Sequence, residues 1–261
     1  MLLVVSIVTG GILGRIAQEA RLRKQHELQL KLIAIEDALS KTGVADRYLP
    51  CPADGTILLN AAGFGQQTSP PGACTSGSPT GTFSDGNKTV GGVVPVKALG
   101  LPDEYAFDPW GGRFAYVVDK RVTTPGSLDL YQPDGRPVGG LADPTRLGSI
   151  TINDHFEVGG ASAVTVRTGH AIAAVISHGE NGHGAFQVSG SRKTAGSHNS
   201  DEQQNCHCDD AANAQTFDPL VVMQASASNP NEPIPNTFDD VVRYYRRGNF
   251  LSVSDRLTEG H

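Results

Sequence analysis

Residues 1 to 41 read MLLVVSIVTGGILGRIAQEARLRKQHELQLKLIAIEDALSK, and this stretch decides the fold. Met1 to Leu13 carry no charged side chain, and Arg15 is the first charge that follows. Further along, apolar residues recur mostly at steps of three and four, the spacing of one helix face. They are Ile16, Ala20, Leu28, Leu32, Ile35 and Leu39. We predict one continuous helix, about 40 residues and roughly 60 Å long, with Gly43 as its C-terminal cap.

The two halves of this helix differ in character. The first half is apolar on all sides, but it is shorter than the roughly 20 residues needed to span a bilayer. A secretory signal has basic residues before its apolar run and a small-residue cleavage site after it, whereas here the basic residues follow. This combination favours a helix anchored in lipid or in a bundle of its own kind, with a head packed on its far end. The alternative is a buried core helix with a polar end.

The rest of the chain predicts a head made of short strands and long loops. Glycine and proline are plentiful and aromatic residues are few, which favours strands joined by turns. Residues 48 to 92 and Ser189 to Asn213 are expected to form two large loops, because both are polar and rich in turn residues. Strands are predicted at Phe114 to Val118, Ser149 to Ile152, Ala163 to Val166, Ala171 to Ile176 and Leu220 to Met223, while Phe238 to Tyr245 fits a strand or a short helix.

Together these patterns predict an α+β fold, in which a long N-terminal helix packs on a small antiparallel sheet with large loops. Residues 1–43 form the helix and residues 44–261 the globular head. The formal net charge is −6, and the sequence has no long run of basic residues. Nucleic-acid binding is therefore unsupported, because phosphates require clustered lysine and arginine.

Four cysteines fall into two local pairs, Cys51 with Cys74 and Cys206 with Cys208. An even number of paired cysteines favours an oxidising compartment such as the periplasm, and the alternative is four unrelated reduced thiols. We favour a Cys51–Cys74 disulfide, because it would fix a Gly- and Pro-rich loop that has few apolar residues. Cys206 and Cys208 then either pair in a small ring or remain free.

Four stretches resemble the type IV pilin-like proteins, especially the pseudopilins of type II secretion. LLVVSIVTGGILGRIAQEA (Leu2 to Ala20) resembles the pilin N-terminal helix just after its processing site. LGLPDEYAFDPWGGRFAYVV (Leu99 to Val118) resembles the segment in which Asp-Pro-Trp-Gly precedes a strand. ISHGENGHG (Ile176 to Gly184) is similar to a later glycine-rich turn of that family, and RYLPCPADG (Arg47 to Gly55) to a Cys-Pro motif in a subgroup.

The resemblance implies a structural subunit that polymerises through its N-terminal helix into an envelope filament and assists type II-like secretion or pilus assembly. It also implies that the partners are other pilin-like subunits and a secreted cargo. The expected location is the bacterial inner membrane, which the chain crosses once, with the head in the periplasm. We expect no enzyme activity. The alternative classes are a membrane-tethered periplasmic binding protein or adhesin and, less favoured, a periplasmic hydrolase or metal enzyme.

The chemistry of the DPWG motif also predicts a structural role that does not depend on the resemblance. Asp108 is expected to accept backbone N–H groups of a turn, Pro109 to fix φ, and Gly111 or Gly112 to adopt positive φ. The only tryptophan, Trp110, is placed to cover a small core. The motif is therefore interpreted as a structural corner.

The resemblance also raises a calcium site, because the major pseudopilins bind calcium in a C-terminal loop. Calcium prefers six to eight oxygen ligands, mostly carboxylates and carbonyls. Candidates lie within or beside the two polar segments, and they are Glu180, Asn181, Asp201, Glu202, Asp209 and Asp210.

Two further chemistries are weighed and not favoured. Zinc would draw on His178, His183, His198, Cys206, His207 and Cys208, but Cys-x-Cys spacing is unusual for a structural zinc site. Ser177 followed by His178 resembles part of a hydrolase site, but the chain has no G-x-S-x-G nucleophile elbow.

The beginning of the chain also carries an expectation. Leu2 to Val5 resemble the apolar residues that follow the N-terminal glutamate of the pilin-like family. We therefore expect further apolar residues and a short basic leader to be encoded upstream of Met1, which reading the upstream DNA tests.

Overall fold

A computed structural model of the 261-residue chain describes residues 2–74, 83–84, 89–129, 148–158, 161–195, 199–206, 221–225 and 238–250. These residues contain two α-helices, α1 (Leu2–Asp46) and α2 (Ser200–Cys206). The strands are β1 (Phe83–Ser84), β2 (Thr89–Val93), β3 (Ala115–Asp119), β4 (Ile150–Val158), β5 (Ala161–Ala171), β6 (Ala173–Ser177), β7 (Val221–Ala225) and β8 (Val241–Tyr245). These elements place the chain in the α+β class.

The strands form two sheets. The larger has the order β1-β2-β3-β6-β8, and every neighbouring pair in it is antiparallel. The smaller has the order β5-β4-β7, in which β4 and β5 are antiparallel and β4 and β7 are parallel. The sequence predicted one antiparallel sheet, and the structure adds this second, mixed sheet.

The five-stranded sheet is buried on both faces. Side chains alternate between the faces of a strand, so neighbouring residues of β3 enter different cores. Tyr116 and Val118 belong to the core beneath α1, whereas Ala115 and Val117 belong to the core that contains residues of β4 and β7. The head is therefore built in three layers: helix, five-stranded sheet and three-stranded sheet.

The C-terminal half of α1 supplies the helical layer. Its buried side chains follow the predicted spacing, and they are Leu28, Leu32, Ile35 and Leu39. Residues 15 to 27 of the same helix are all exposed, so the head leaves this part of α1 uncovered. Among the described residues, no helix has an apolar stretch long enough to cross a membrane.

The helix ends later than the sequence indicated. We expected Gly43 to be the C-terminal cap, but α1 continues to Asp46 and Arg47 takes the left-handed conformation with φ 58°. Gly43 instead allows close packing, since a Cβ atom at this position would lie 2.5 Å from Cδ1 of Phe250. A packing requirement therefore explains this glycine, and the prediction that it ends the helix was wrong.

The segment after α1 is held by backbone pairing and by a covalent link. Ala53 forms two backbone hydrogen bonds with Val93 of β2, at 2.9 and 3.0 Å. A disulfide joins Cys51 to Cys74, with their Cα atoms 5.5 Å apart, which confirms the favoured pairing. Cys206 is also disulfide-bonded. Cys208 lies outside the described residues.

Every predicted strand segment overlaps a strand of the structure. β3, β4, β5, β6 and β7 overlap the predicted segments, and Phe238 to Tyr245 contains strand β8 rather than a helix. Two segments that we interpreted as loops contain regular structure. The first, residues 48 to 92, includes β1 and most of β2, and the second, Ser189 to Asn213, includes α2.

The first testable prediction concerns the contact between α1 and the sheet. Leu32 is fully buried, whereas Leu30 on the same helix is 54% exposed. We expect Leu32→Ala to lower the free energy of unfolding by about 2–5 kcal/mol, because it leaves a cavity in the core. Leu30→Ala is the matched control and should change it by about 0.5 kcal/mol or less. Equal losses in denaturant titrations would contradict this packing.

The second prediction concerns the disulfide. Replacing both Cys51 and Cys74 by alanine should lower the free energy of unfolding by roughly 3 kcal/mol, because the unfolded chain regains the entropy of the open loop. Denaturant unfolding measures the loss, and non-reducing peptide mapping of the unchanged protein locates the link. An unaltered unfolding midpoint in the double variant would show that the disulfide does not stabilise the fold.

Candidate metal centre

Three acidic side chains from two segments of the chain meet near one end of α2. Glu202 lies on α2, and Asp239 and Asp240 directly precede β8. One carboxylate oxygen from each of the three lies within 4.8 Å of the others. Glu202 and Asp240 are buried and Asp239 is half-buried, so this acidic cluster is largely removed from solvent.

Asn205 fixes the position of the helix that carries Glu202. Its side-chain amide donates to Met223 O at 2.7 Å, and its Oδ1 accepts from Met223 N at 2.7 Å. The same amide donates to Asp240 Oδ2 at 2.9 Å. Asn205 therefore joins α2, β7 and the acidic cluster, which explains why a short polar segment is ordered as a helix here.

The turn that follows β6 supplies the remaining contacts of the cluster. Asn181 donates its side-chain amide to Glu202 Oε2 at 2.7 Å and its backbone N–H to Asp239 Oδ2 at 2.9 Å. The backbone N–H of Asp239 donates to Glu202 Oε1 at 2.8 Å. Gly179, with φ 58°, permits this approach, because a Cβ atom would lie 2.4 Å from Asp239 O. The turn thus orients two of the three carboxylates.

The described residues do not balance the negative charge that this cluster carries when its three carboxyl groups are ionised. Among them, Asp239 Oδ1 and Asp240 Oδ1 are buried and have no hydrogen-bond partner. Burial, together with the nearby Glu202 carboxylate, raises the pKa of Asp239 to about 8 and also raises the pKa of Asp240. Ionised carboxylates at this spacing repel one another unless a cation or a proton intervenes.

Neighbouring basic side chains do not supply the missing charge. Arg192 donates to the carbonyl oxygens of Gly184 and Cys206, and Lys193 Nζ donates to Asn181 O at 2.5 Å. His178 Nδ1 lies 3.6 Å from Asp240 Oδ1, but burial lowers the pKa of His178 to about 4, so the ring is neutral at pH 7. The bare carboxylate oxygens therefore remain open to a cation.

The chemistry of the cluster suits a hard divalent cation. Glu202, Asp239 and Asp240 offer carboxylate oxygens, the ligand type that calcium and magnesium prefer. Zinc prefers cysteine and histidine ligands, and here Cys206 is committed to a disulfide. A cation bound to these three residues would relieve their mutual repulsion and would join α2 to the start of β8.

The structure distributes the sequence-derived calcium candidates among several environments. Asn181 and Glu202 lie together in the acidic cluster. Glu180 instead faces α1, with its Oε2 3.6 Å from Arg21 Nη2, and Asp201 contacts His155 Nδ1 at 2.8 Å. Asp209 and Asp210 lie outside the described residues.

Asp239 and Asp240 were missed by the sequence reasoning. The available signal was two adjacent acids directly before an apolar strand, a pattern that is also common on solvated strand ends. Of the zinc candidates, His178 and His183 are buried on the turn after β6. His198, His207 and Cys208 lie outside the described residues.

The DPWG corner has the expected geometry and also uses the serine considered for catalysis. Asp108 Oδ1 accepts from the backbone N–H groups of Trp110 and Gly112 at 3.0 and 2.9 Å, and Gly111 has φ 88°. Ser177 Oγ donates to Asp108 Oδ2 at 2.8 Å, and both side chains are buried. This hydroxyl therefore ties β6 to the corner.

Comparison with known proteins provides no separate guide to function. Neither the models of known protein families, nor the curated proteins, nor the solved structures include a match to this chain. Function is therefore inferred from two features of the molecule itself. They are the partly covered helix α1 and the buried acidic cluster.

The third prediction concerns cation binding. Calcium at about 100 times its Kd should stabilise the head by about 2.7 kcal/mol, because it binds only the folded state. This corresponds to a rise in Tm of roughly 5–10 °C. Asp240→Asn should abolish the rise, whereas Asp201→Asn is the matched control and should retain it. An identical calcium response in wild type and Asp240→Asn would exclude the acidic cluster as the site.

The same site predicts a dependence on pH. In the cation-free protein, folded Asp239 keeps its proton up to about pH 8, whereas the unfolded chain releases it near the ordinary value of 3.8. Stability therefore falls as pH rises towards 8. His178 acts in the opposite direction only below its ordinary value of 6.5. The calcium-induced rise in Tm should thus be larger at pH 8 than at pH 6.5, and a smaller rise at pH 8 would contradict this assignment.

Proposed function

We propose that the chain is a structural, pilin-like subunit of an envelope filament, and that α1 is the element through which it assembles. The proposal rests on the observation that residues 15–27 of the 45-residue helix α1 are all exposed, whereas Leu28 is buried against the head. From residue 2 to residue 27 the helix is roughly 39 Å long at the usual helical rise.

The exposed part of α1 has the chemistry of a surface that associates. Ile16 and Leu22 are 58% and 57% exposed, and the uncharged run Leu2–Gly14 precedes them. An extended helix with exposed apolar residues is stabilised when another helix or lipid removes those residues from water. Packing among the α1 helices of several copies would meet this requirement in a filament, as lipid would before assembly.

Other features are consistent with this proposal. The disulfide is typical of proteins in an oxidising compartment, which the periplasm provides. The sequence resemblance to pseudopilins covers the helix, the DPWG corner and the turn that holds the acidic cluster. On this proposal, a calcium ion in the cluster keeps the C-terminal part of the head folded outside the cytoplasm, while the inner membrane holds the subunit before assembly.

The proposed function differs from its main alternative in one testable property, which is polymerisation. A membrane-tethered binding protein or adhesin would use the same helix as an anchor, but it would act without polymerising. No feature of the loops described here favours a particular ligand. Association through α1 is therefore the property that distinguishes the two classes.

The fifth prediction tests this association. Leu22→Glu should reduce recovery of the full chain in crosslinked oligomers and in complexes with pilin-like subunits of the same cell by about tenfold or more, because it places a charge on the apolar surface. Gln25→Glu adds the same charge on the same exposed segment and is the matched control. Both variants should keep the Tm of the unchanged head.

Chemical crosslinking in cells followed by immunoblotting provides the measurement. A chain that stays monomeric in cells that make the pilin-like subunits would contradict the filament proposal. An equal loss for Leu22→Glu and Gln25→Glu would show that charge, and not the apolar contact, governs association.

A further inference from the structure

We infer that the junction between α1 and the head is a docking surface for anionic phospholipid headgroups. The surface consists of the helical segment Arg15–Lys24 and the side chain of Trp110. This inference rests on the proposed function, since it assumes that the uncharged residues before Arg15 enter a bilayer. It adds the lipid chemistry that the junction recognises.

Charge is the first observation. Within ten residues, the segment carries Arg15, Arg21, Arg23 and Lys24 against the single acid Glu19, a net charge of +3. The whole chain has a formal net charge of −6, so this positive segment is opposite in charge to the rest of the molecule. Basic residues near an anionic bilayer are each worth about 1 kcal/mol of binding. This positive segment directly follows the uncharged run, so it would lie at the level of the headgroups when the run enters a bilayer.

Accessibility is the second observation. Every residue from Arg15 to Lys24 is exposed, and the Arg23 side chain is 84% exposed. The ion pairs in the segment are long, with 3.9 Å from Arg23 to Glu19 and 3.6 Å from Arg21 to Glu180. Exposed pairs of this kind contribute little, so exchange of a carboxylate for a lipid phosphate costs little.

Trp110 is the third observation. It is half-buried at the DPWG corner, and Lys24 Nζ lies 5.8 Å from the centre of its ring. The two residues line a cleft of about 470 Å³ between the helix and the head, together with Ala17, Ala20 and Glu180. A tryptophan beside a lysine is typical of the membrane–water interface, where the ring has one apolar and one wet side.

The position of these residues favours lipid over other anionic partners. Ile16 and Leu22 project from the same basic segment, and both are more than half exposed. An amphipathic surface of basic and apolar side chains next to an uncharged run fits headgroups and the upper acyl chains together. A soluble polyanion would use the basic residues alone.

The test uses the full-length chain and vesicles of two compositions. One contains phosphatidylcholine only, and the other includes about 30% phosphatidylglycerol to create a negative surface. Flotation measures binding. Because Trp110 is the only tryptophan, energy transfer from it to a dansyl-labelled headgroup reports directly whether the edge of the head lies on the bilayer.

Two double variants separate the basic segment from overall charge. Arg15→Gln/Arg23→Gln should weaken binding to the anionic vesicles roughly 25-fold, at about fivefold for each basic residue removed. Lys41→Gln/Arg246→Gln removes the same charge from exposed positions elsewhere and should leave binding within about twofold of wild type. Equal Tm values for the two double variants show that both are folded.

The inference predicts stronger binding to anionic than to neutral vesicles. It also predicts energy transfer from Trp110 to the labelled headgroup, which is lost in Arg15→Gln/Arg23→Gln. Raising salt from about 0.1 M to about 1 M should weaken the difference, because the Debye length falls from about 10 Å to about 3 Å. Equal binding to both vesicles, equal loss in the control variant, or displacement of the chain from vesicles by a soluble polyanion at equal charge concentration would overturn it.

These outcomes are distinct from those that test the proposed function. Lipid-dependent transfer in a chain that never crosslinks to pilin-like subunits would support the lipid surface and contradict the filament. Normal crosslinking with no preference between the two vesicles would support the filament and overturn the lipid surface.

Discussion

The packing of one end of α1 against the five-stranded sheet is the interaction on which the rest of the molecule depends. Leu28, Leu32, Ile35 and Leu39 fill the space above the sheet, and the spacing of these residues fixes which side of the helix faces the head. The same contact fixes the direction in which residues 2–27 leave the head. The exposed helix is thus a consequence of how little of α1 the sheet can cover.

The acidic cluster lies at the start of β8, the edge strand of the same sheet. Its three carboxylates join α2 to the start of β8, and Asn205 and Asn181 hold them at hydrogen-bond distances from neighbouring elements. Removing acidic side chains from water is unfavourable unless their charge is compensated. We therefore expect the order of the C-terminal region to respond to cations and pH, whereas the helix–sheet core depends mainly on apolar burial and on the Cys51–Cys74 disulfide.

The sequence was informative where a local pattern controls structure. Buried positions of α1 and six of the strands follow apolar periodicity, which is visible without tertiary information. β2 was missed because TVGGV contains two glycines, which weaken a strand signal, and it is ordered by pairing with β3. α2 was missed because SDEQQNC has no apolar face, and it depends on contacts with Met223 and Asp240. The cluster joins Glu202 to Asp239 across 37 residues, a separation that no local pattern reveals.

The position of Phe250 has a consequence for the order of folding. This buried residue packs against Gly43 at the end of α1, so the helix end is covered by a segment that lies far from it in the sequence. Asp239 and Asp240 lie close to Phe250 in the chain, and they too must reach a distant partner, Glu202. Contacts between residues so far apart form slowly, because closing a long loop costs entropy before the contact stabilises it. We therefore expect the end of α1 and the acidic cluster to close only after the local structure of the head has formed.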